Sequence, residues 1–398
     1  MSCVSGSVTN SCRFAIALLA LQLAACTTTP APVVRDTPPA PPEPAPLPPP
    51  VEEPQPAPPP DLSSMRISIA AVGDMMIGTD YPQDHLPDDD GVGFLAAVTP
   101  VIAAADIAIG NLEGVLVDGG EPGKKCSNPA ACYLFRSPTR YAEHYRKAGF
   151  DALSLANNHA RDFGEEGRSN SMDALRAADI THSGREGTTA ILRRGDIFVA
   201  FLAFAVTKNS NMLLDYELAF EMIAAHAEEH DIVIVSFHGG AEGVDVTHIP
   251  FAEEEYYDEP RGDVVWFARG AVDAGADLVV GHGPHVVRGM ERYKERLIAY
   301  SLGNFATYYG ISVAGIKGIA PILSVTLDGN GKFIAGQITS TVQLRPAGPS
   351  IDDKQRALNL LRGLSIDDFS NPGIRFMPDG KLLPMERGDV PQHYLEQP

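Results

Sequence analysis

Polar residues gather in six short clusters along this chain, each directly after a run of apolar ones: Gly73-Asp74, Asn111-Leu112-Glu113, Asn157-Asn158-His159, His238-Gly239-Gly240, Gly281-His282-Gly283-Pro284-His285 and Gly303-Asn304-Phe305. Together they hold carboxylates, side-chain amides and imidazoles, a mixture of oxygen and nitrogen donors that suits a transition-metal site. Asp74 and Glu113 can each bridge or chelate a cation. Asn158 offers an amide oxygen that adds no negative charge, and His238, His282 and His285 offer neutral nitrogens. Two cations held a few ångströms apart lower the pKa of a bridging water and clamp a phosphoryl group. His159, beside Asn158, is then free to give a proton to a leaving oxygen.

The apolar runs before the clusters read as buried strands: Ile67 to Val72, Ile107 to Ile109, Ala152 to Leu155, Ile232 to Phe237, Leu278 to Val280 and Leu297 to Leu302. In an α/β sheet the carboxyl ends of parallel strands share one edge, where ligands bind. Distant clusters are therefore expected to meet there. Helical patterns over Phe94 to Ala105, Thr139 to Ala148, Glu166 to Ala178, Glu217 to Glu229 and Asp263 to Ala274 alternate with the strands, which predicts α/β architecture with a largely parallel sheet. Farther on, Ile322 to Leu327 and Phe333 to Leu344 flank Asp328-Gly329-Asn330-Gly331-Lys332 and predict a β-hairpin, hence a mixed or paired sheet. Ile351 to Gly363 reads as a further helix, and the tail after Asn371 shows no pattern.

The ends of the chain differ from its middle. Arg13 is the only charge ahead of a short apolar run, Phe14 to Ala25, too short to span a bilayer, which predicts an export signal over 1–25. Leu23-Ala24-Ala25-Cys26 resembles the lipobox of bacterial lipoproteins, which implies a lipid on Cys26; an ordinary cleaved signal is the alternative. Thr27 follows, not an acidic residue, which favours the outer membrane, facing the periplasm, in a Gram-negative cell. Between Pro30 and Pro60 lie 16 of the 33 prolines. Such a segment builds no core and is expected to be an extended spacer, reaching ~90 Å at roughly 3 Å per residue, or else a docking site for a proline-binding module. The expected organisation is thus a signal peptide at 1–25, lipidated Cys26 and linker at 26–64, a catalytic-type domain at 65–345, and a C-terminal helix and tail at 346–398. The formal charge of −20 argues against nucleic acid and anionic membrane surfaces as partners. Cys126 and Cys132 remain once the signal and the lipid are accounted for. An even pair in an exported chain predicts a disulfide, stabilising by roughly 2 kcal/mol, with a zinc pair as the alternative.

Val72-Gly73-Asp74, Gly110-Asn111-Leu112-Glu113, Asn157-Asn158-His159-Ala160-Arg161-Asp162-Phe163-Gly164, His238, Gly281-His282-Gly283-Pro284-His285-Val286 and Ser301-Leu302-Gly303-Asn304-Phe305 resemble the CapA family, over about Arg66 to Ala335. That family is linked to poly-γ-glutamate capsule synthesis and belongs to the calcineurin-like metallophosphatase superfamily. The resemblance implies a four-layered α/β/β/α sandwich. It implies metal ligation by Asp74, Glu113, Asn158, His238, His282 and His285, with Glu113 in the bridging position and His159 as the neighbouring catalytic histidine. Two divalent ions (Mn, Fe or Zn) are expected, or one. Two departures bear on this. Met76 stands where the superfamily usually has a histidine two positions after the aspartate, and two residues, Gly283 and Pro284, separate the last histidine pair where many phosphoesterases have one.

Other polar residues have plainer explanations. His85, His144, His226, His230 and His393 read as surface or core histidines; His182 and His248 lie in polar segments that could approach a substrate. Asp162 is expected to orient the turn after His159. Asn111 and Asn157 are expected to bond loop backbone, and Asn304 has no assigned metal role; all four rank as substrate or supporting residues. Asp88-Asp89-Asp90-Gly91 lacks the alternation of a calcium loop. Glu253-Glu254-Glu255 with Asp258 and Glu259 reads as a solvated acidic loop flanking the cleft, repelling an anionic polymer unless metals or Arg161, Arg185 and Arg288 offset it. The leading functional expectation is an envelope lipoprotein that hydrolyses a phosphoester in capsule or cell-wall polymer synthesis, on an anionic polymer or its phosphorylated precursor, alongside the capsule synthesis machinery. A non-catalytic assembly or export factor using the same cleft is the competing expectation, and a metal-dependent γ-glutamyl or peptide hydrolase the third.

Overall fold

Side chains on successive strand residues point to opposite faces, and here both faces are apolar. Ile67, Ile69 and Ala71 of strand Arg66–Met76 enter a core shared with Val199, Phe201 and Ala203 of strand Ile197–Ala205 and with Ile232, Ile234, Leu278 and Val280. Ala70 and Val72 point the other way, onto Ile102, Tyr145 and Leu175 of outer helices. Ala200, Leu202 and Phe204 likewise pack outward on Ile223 and Phe267, from helices Tyr216–Glu229 and Val264–Asp273. Two sheets face each other across one core with helices outside, which is the expected α/β/β/α sandwich.

This computed structural model describes residues 62–124 and 132–385, within the unit Pro59–Pro398. The predicted signal, Cys26, most of the proline-rich linker, Cys126 and His393 lie outside the described residues. No helix among the described residues is long and apolar enough to cross a membrane.

The first sheet is ten-stranded. Strands Arg66–Met76, Ile107–Leu112, Ala152–Ser154 and Thr181–Ser183 run parallel through it, and the expected hairpin, Ile319–Asp328 with Phe333–Gln343, adds antiparallel strands on the other side of Arg66–Met76. The second sheet is six-stranded. Its middle strands, Ile197–Ala205, Ile232–His238, Leu278–His282 and Arg296–Leu302, are parallel, with antiparallel Ala190–Arg194 and Val287–Tyr293 at its edges. The chain crosses back at Gly303, φ +66°, into strand Asn304–Thr307, which pairs in parallel with Arg66–Met76.

Three elements differ from expectation. The pattern over Phe94 to Ala105 yields only a short helix, Thr99–Ile102, preceded by turns; Pro100 lacks an N–H and fits only a helix's first turn. The C-terminal helix runs Arg356–Phe369 rather than from Ile351, because Pro349–Ile351 pairs with strand Phe333–Gln343 and Asp352 then accepts from Arg356 N at 3.0 Å. The tail is not patternless: Ile374–Phe376 and Lys381–Pro384 form a hairpin closed at Asp379-Gly380, and Lys381–Pro384 extends the first sheet. The segment after 345 is thus woven into that sheet.

Phe201 is fully buried between the two sheets. Phe201→Ala should cost about 3–5 kcal/mol of unfolding free energy, read as a lowered denaturant midpoint; a loss under about 1 kcal/mol would mean the inter-sheet core is not packed as described.

Candidate metal centre

Register delivers the clusters to one place. Asp74 lies beside Asn111 on one side and Asn304 on the other, while in the second sheet His238 lies beside His282. Neighbouring backbones approach so closely at these strand ends that side chains are excluded. A Cβ on Gly73 would fall 1.9 Å from Gly303 O, and one on Gly281 would fall 2.2 Å from Tyr300 O.

Asn111 organises the carboxylates. Its Nδ2 donates to Asp74 Oδ1 at 2.9 Å and to Glu113 Oε2 at 3.0 Å. Its Oδ1 accepts from Asn157 Nδ2 at 3.0 Å, and Asn157 also donates to Leu112 O and accepts from His159 N. Glu113 Oε1 then stands 3.5 Å from His238 Nε2 and 3.6 Å from His285 Nε2, and His282 Nδ1 stands 3.4 Å from Asp74 Oδ1. His285, at φ +58°, has its Nδ1 between Asp74 Oδ2 at 3.1 Å and Asn304 Oδ1 at 2.9 Å. Both partners are acceptors, so Nδ1 carries a proton, and Nε2 is the nitrogen turned toward Glu113. Asn304 is fixed in turn, donating to His285 O and Ser312 O. It is a positioning residue for His285.

The donor set fits divalent ions. Glu113 Oε1, Asn158 Oδ1, both ring nitrogens of His238 and Nδ1 of His282 are buried without hydrogen-bond partners. Each such atom costs about 1–3 kcal/mol unless something pairs with it. Ligands about one ion with bonds near 2.1 Å stand ~3.4 Å apart in tetrahedral geometry, close to the separations here. Asp74, Glu113 and His285 each bring a donor within 4.8 Å of the other two. Electrostatics agrees. Burial pushes Glu113 well above the usual carboxylate range, with the charge of Asp74 adding to it. Burial opposes the Asp74 carboxylate too, but His282 and His285 outweigh it and hold Asp74 well below the usual range. Burial, seconded by Arg261, keeps His238 neutral. For His285 burial is overcome by Glu113 and Asp74, which push it up to about 10. A cation would relieve the repulsion between the carboxylates.

His159 is held separately. Its Nδ1 lies 2.7 Å from Asp162 Oδ2, which also accepts from Phe135 N at 2.7 Å. Phe135 packs on the imidazole at 4.3 Å between ring centroids. Met76 sits behind Phe135 in a small cluster with Ile311, so the residue two positions after Asp74 supplies packing and its sulfur accepts from Gly78 N. Lys124 Nζ stands 3.4 Å from Asp162 Oδ1.

Sequence reading missed Glu242, Arg261, Lys124 and Phe135, none of which belongs to a spaced pattern. Two expectations are corrected. Glu254 is not solvated: it is buried and paired with buried Arg288 through two contacts of 2.7 Å, because loop 239–252 folds over it and Ala241 N donates to it. Arg288 is therefore spent on Glu254, and Arg161 and Arg185 face Glu165 instead of an open cleft. His182 lies on the edge strand next to Arg176, and His248 bonds Asp368 on the C-terminal helix at 2.7 Å. Cys132 is disulfide-bonded.

Fold and centre together define a two-sheet α/β protein with a buried, mixed oxygen–nitrogen donor site. The sequence profile of the bacterial capsule synthesis protein PGA_cap family matches residues 68–309, and the chain belongs to that family. It is 26% identical over 272 residues to the capsule biosynthesis protein CapA of Bacillus anthracis, covering 60% of this chain and 59% of that protein. It is 28% identical over 275 residues to the PGA biosynthesis protein CapA of Bacillus subtilis, covering 60% and 63%. The chain thus spans about three fifths of the length of these curated relatives. Purple acid phosphatase from yellow lupin seeds aligns with a TM-score of 0.34 at 10% identity, over 77% of this chain and 57% of that one, a likeness too distant to carry an argument.

Removing one partner of a buried ion pair strands the other charge. Arg288→Ala should cost about 3–5 kcal/mol, and the double variant with Glu254→Gln should cost less than Arg288→Ala alone; equal or greater loss in the double variant by equilibrium unfolding would contradict the pairing.

Proposed function

We propose that this protein is an envelope lipoprotein acting in capsule or cell-wall polymer synthesis, with a metal-dependent phosphoester hydrolase centre. The anchor would be a lipid on Cys26 and the proline-rich segment a spacer, holding the domain off the membrane and, in a Gram-negative cell, in the periplasm. Capsule and PGA biosynthesis in the names of the relatives supports the pathway. The observation that carries the hydrolase reading is the convergence of partnerless buried donors on Asp74 and Glu113.

Glu113, Asn158, His238 and His282 would hold one ion, and Asp74, Glu113 and His285 a second. When bound, such ions supply Lewis acidity, an activated water and charge to offset a phosphoryl group. The chain's own residues do the rest. Asp162 fixes the proton of His159 on Nδ1, so Nε2 is the atom that exchanges a proton with the leaving oxygen. Burial holds the free imidazole below its ordinary value against the pull of Asp162, so an arriving anion is what favours the imidazolium needed for a general acid. Lys124 adds a positive charge at this edge in a chain whose net charge is −20. Asn304 keeps His285 aimed at Glu113. A non-catalytic assembly or export role for the same cleft is the second reading, favoured by Met76, whose side chain packs on Phe135 where the superfamily has a ligand.

The full chain purified without chelators should carry about two equivalents of Mn, Fe or Zn by elemental analysis, falling in His282→Ala. A metal-free protein, even after reconstitution, would end the hydrolase reading. In a phosphoester screen, His159→Ala should lower kcat by roughly 10²–10⁴ with metal content unchanged. Full turnover by this variant would sink the general-acid role, and a metal-loaded wild type that turns over no phosphoester would favour assembly.

A further inference from the structure

We propose that Glu242 is a ligand of this centre, occupying the coordination position that Met76 leaves open, and that it makes this half of the centre a Mn²⁺-type site; this rests on the divalent-ion reading above. Glu242 lies in the turn after strand Ile232–His238, only four residues past His238. Its carboxylate is divided between two neighbours. Oε1 lies 3.1 Å from Nη2 of Arg261, a buried guanidinium whose Nε donates to Gly240 O at 2.8 Å. Oε2 faces the centre, 3.8 Å from His285 Nε2.

That same nitrogen is 3.6 Å from Glu113 Oε1. Nδ1 is turned to Asp74 and Asn304, so Nε2 is the nitrogen His285 offers a cation, and two carboxylate oxygens lie at nearly equal distances from it. Donors sharing one ion at bonds near 2.1 Å stand ~3.0 Å apart in adjacent octahedral positions, ~3.4 Å apart in a tetrahedron and ~4.2 Å apart when opposite each other in an octahedron. Both separations fall in that range.

Counting ligands shows why the position matters. One half of the centre has Glu113, Asn158, His238 and His282. The other has Asp74, Glu113 and His285, and the strand position that could have added an imidazole is taken by Met76, turned toward Phe135 and Ile311. Glu242 completes it with a third carboxylate. Three carboxylates and one imidazole make an oxygen-rich set, which suits Mn²⁺ better than the softer, nitrogen-richer set opposite.

The test is a Mn²⁺ titration of the stripped full chain, followed by electron paramagnetic resonance of free and bound ion. His226→Ala is carried throughout, because His226, Glu229 and His230 also gather within reach of one ion. Glu242→Gln keeps an acceptor for Arg261 and removes the anionic ligand. The expected result is two bound Mn²⁺ in the parent and, in Glu242→Gln, at least a tenfold weaker affinity at one position, with the other unchanged and the same thermal midpoint. Unchanged binding at both positions overturns the proposal. Arg261→Lys disturbs the same ion pair but leaves the carboxylate; should it weaken Mn²⁺ as much as Glu242→Gln, the effect comes through the fold and the proposal falls. A parent that binds no Mn²⁺ overturns the divalent-ion reading itself, and this proposal with it.

Discussion

Asp74 and Glu113 lie side by side where the two sheets meet, both shut off from water, and one amide group, Nδ2 of Asn111, donates to each. Two buried carboxylates in one place repel, and an amide compensates neither fully. Around them the fold brings imidazoles rather than lysines or arginines: His238 and His282 in register from the second sheet, and His285 from the loop beyond. Imidazoles beside two buried carboxylates, with Glu113 pushed well above its usual range, leave a place for positive charge that divalent ions would fill. The buried guanidinium of Arg261 is engaged by Glu242 and by Gly240 O instead.

That arrangement shapes the backbone. The strand ends converge only where backbones nearly touch: at Gly73 the carbonyls of Gly303 and Leu302 take the space of a Cβ, and at Gly281 the carbonyl of Tyr300 on the neighbouring strand does. The chain then passes from one sheet to the other at Gly303, so that Asn304 lies next to Asp74 and holds His285 from behind. A residue with no charge of its own thereby sets the orientation of the His285 ring. Likewise Asp162 fixes His159, while Phe135 and Met76 back the ring. Met76 is thus tied to how His159 is supported.

The acidic stretch around Glu254 illustrates how charge can mislead. Glu253-Glu254-Glu255 looks like a solvated run, yet Glu254 lies beneath loop 239–252 with Arg288. The pair ties down the loop that carries Glu242, through Ala241 N and Val246 O, so these residues build structure instead of surface potential.

Much of this was legible in the sequence because it is local. Apolar runs marked the strands, since a strand buried on both faces must be apolar throughout, and polar residues directly after such runs marked the edge where ligands gather. Asp74, Glu113, Asn158, His238, His282 and His285 were identified that way, and the motifs around them placed the chain in its family. Tertiary structure decided the rest, because the deciding contacts join residues far apart in sequence. Glu242 acquires meaning only when His285 and Arg261 arrive beside it, and Asn304 only when Gly303 turns the chain back. Arg288 could be known as a structural ion only once Glu254 was found beneath the loop. Periodicity and spacing report which face a residue shows; which distant partner meets that face is settled by packing, and so were the supporting residues of this centre.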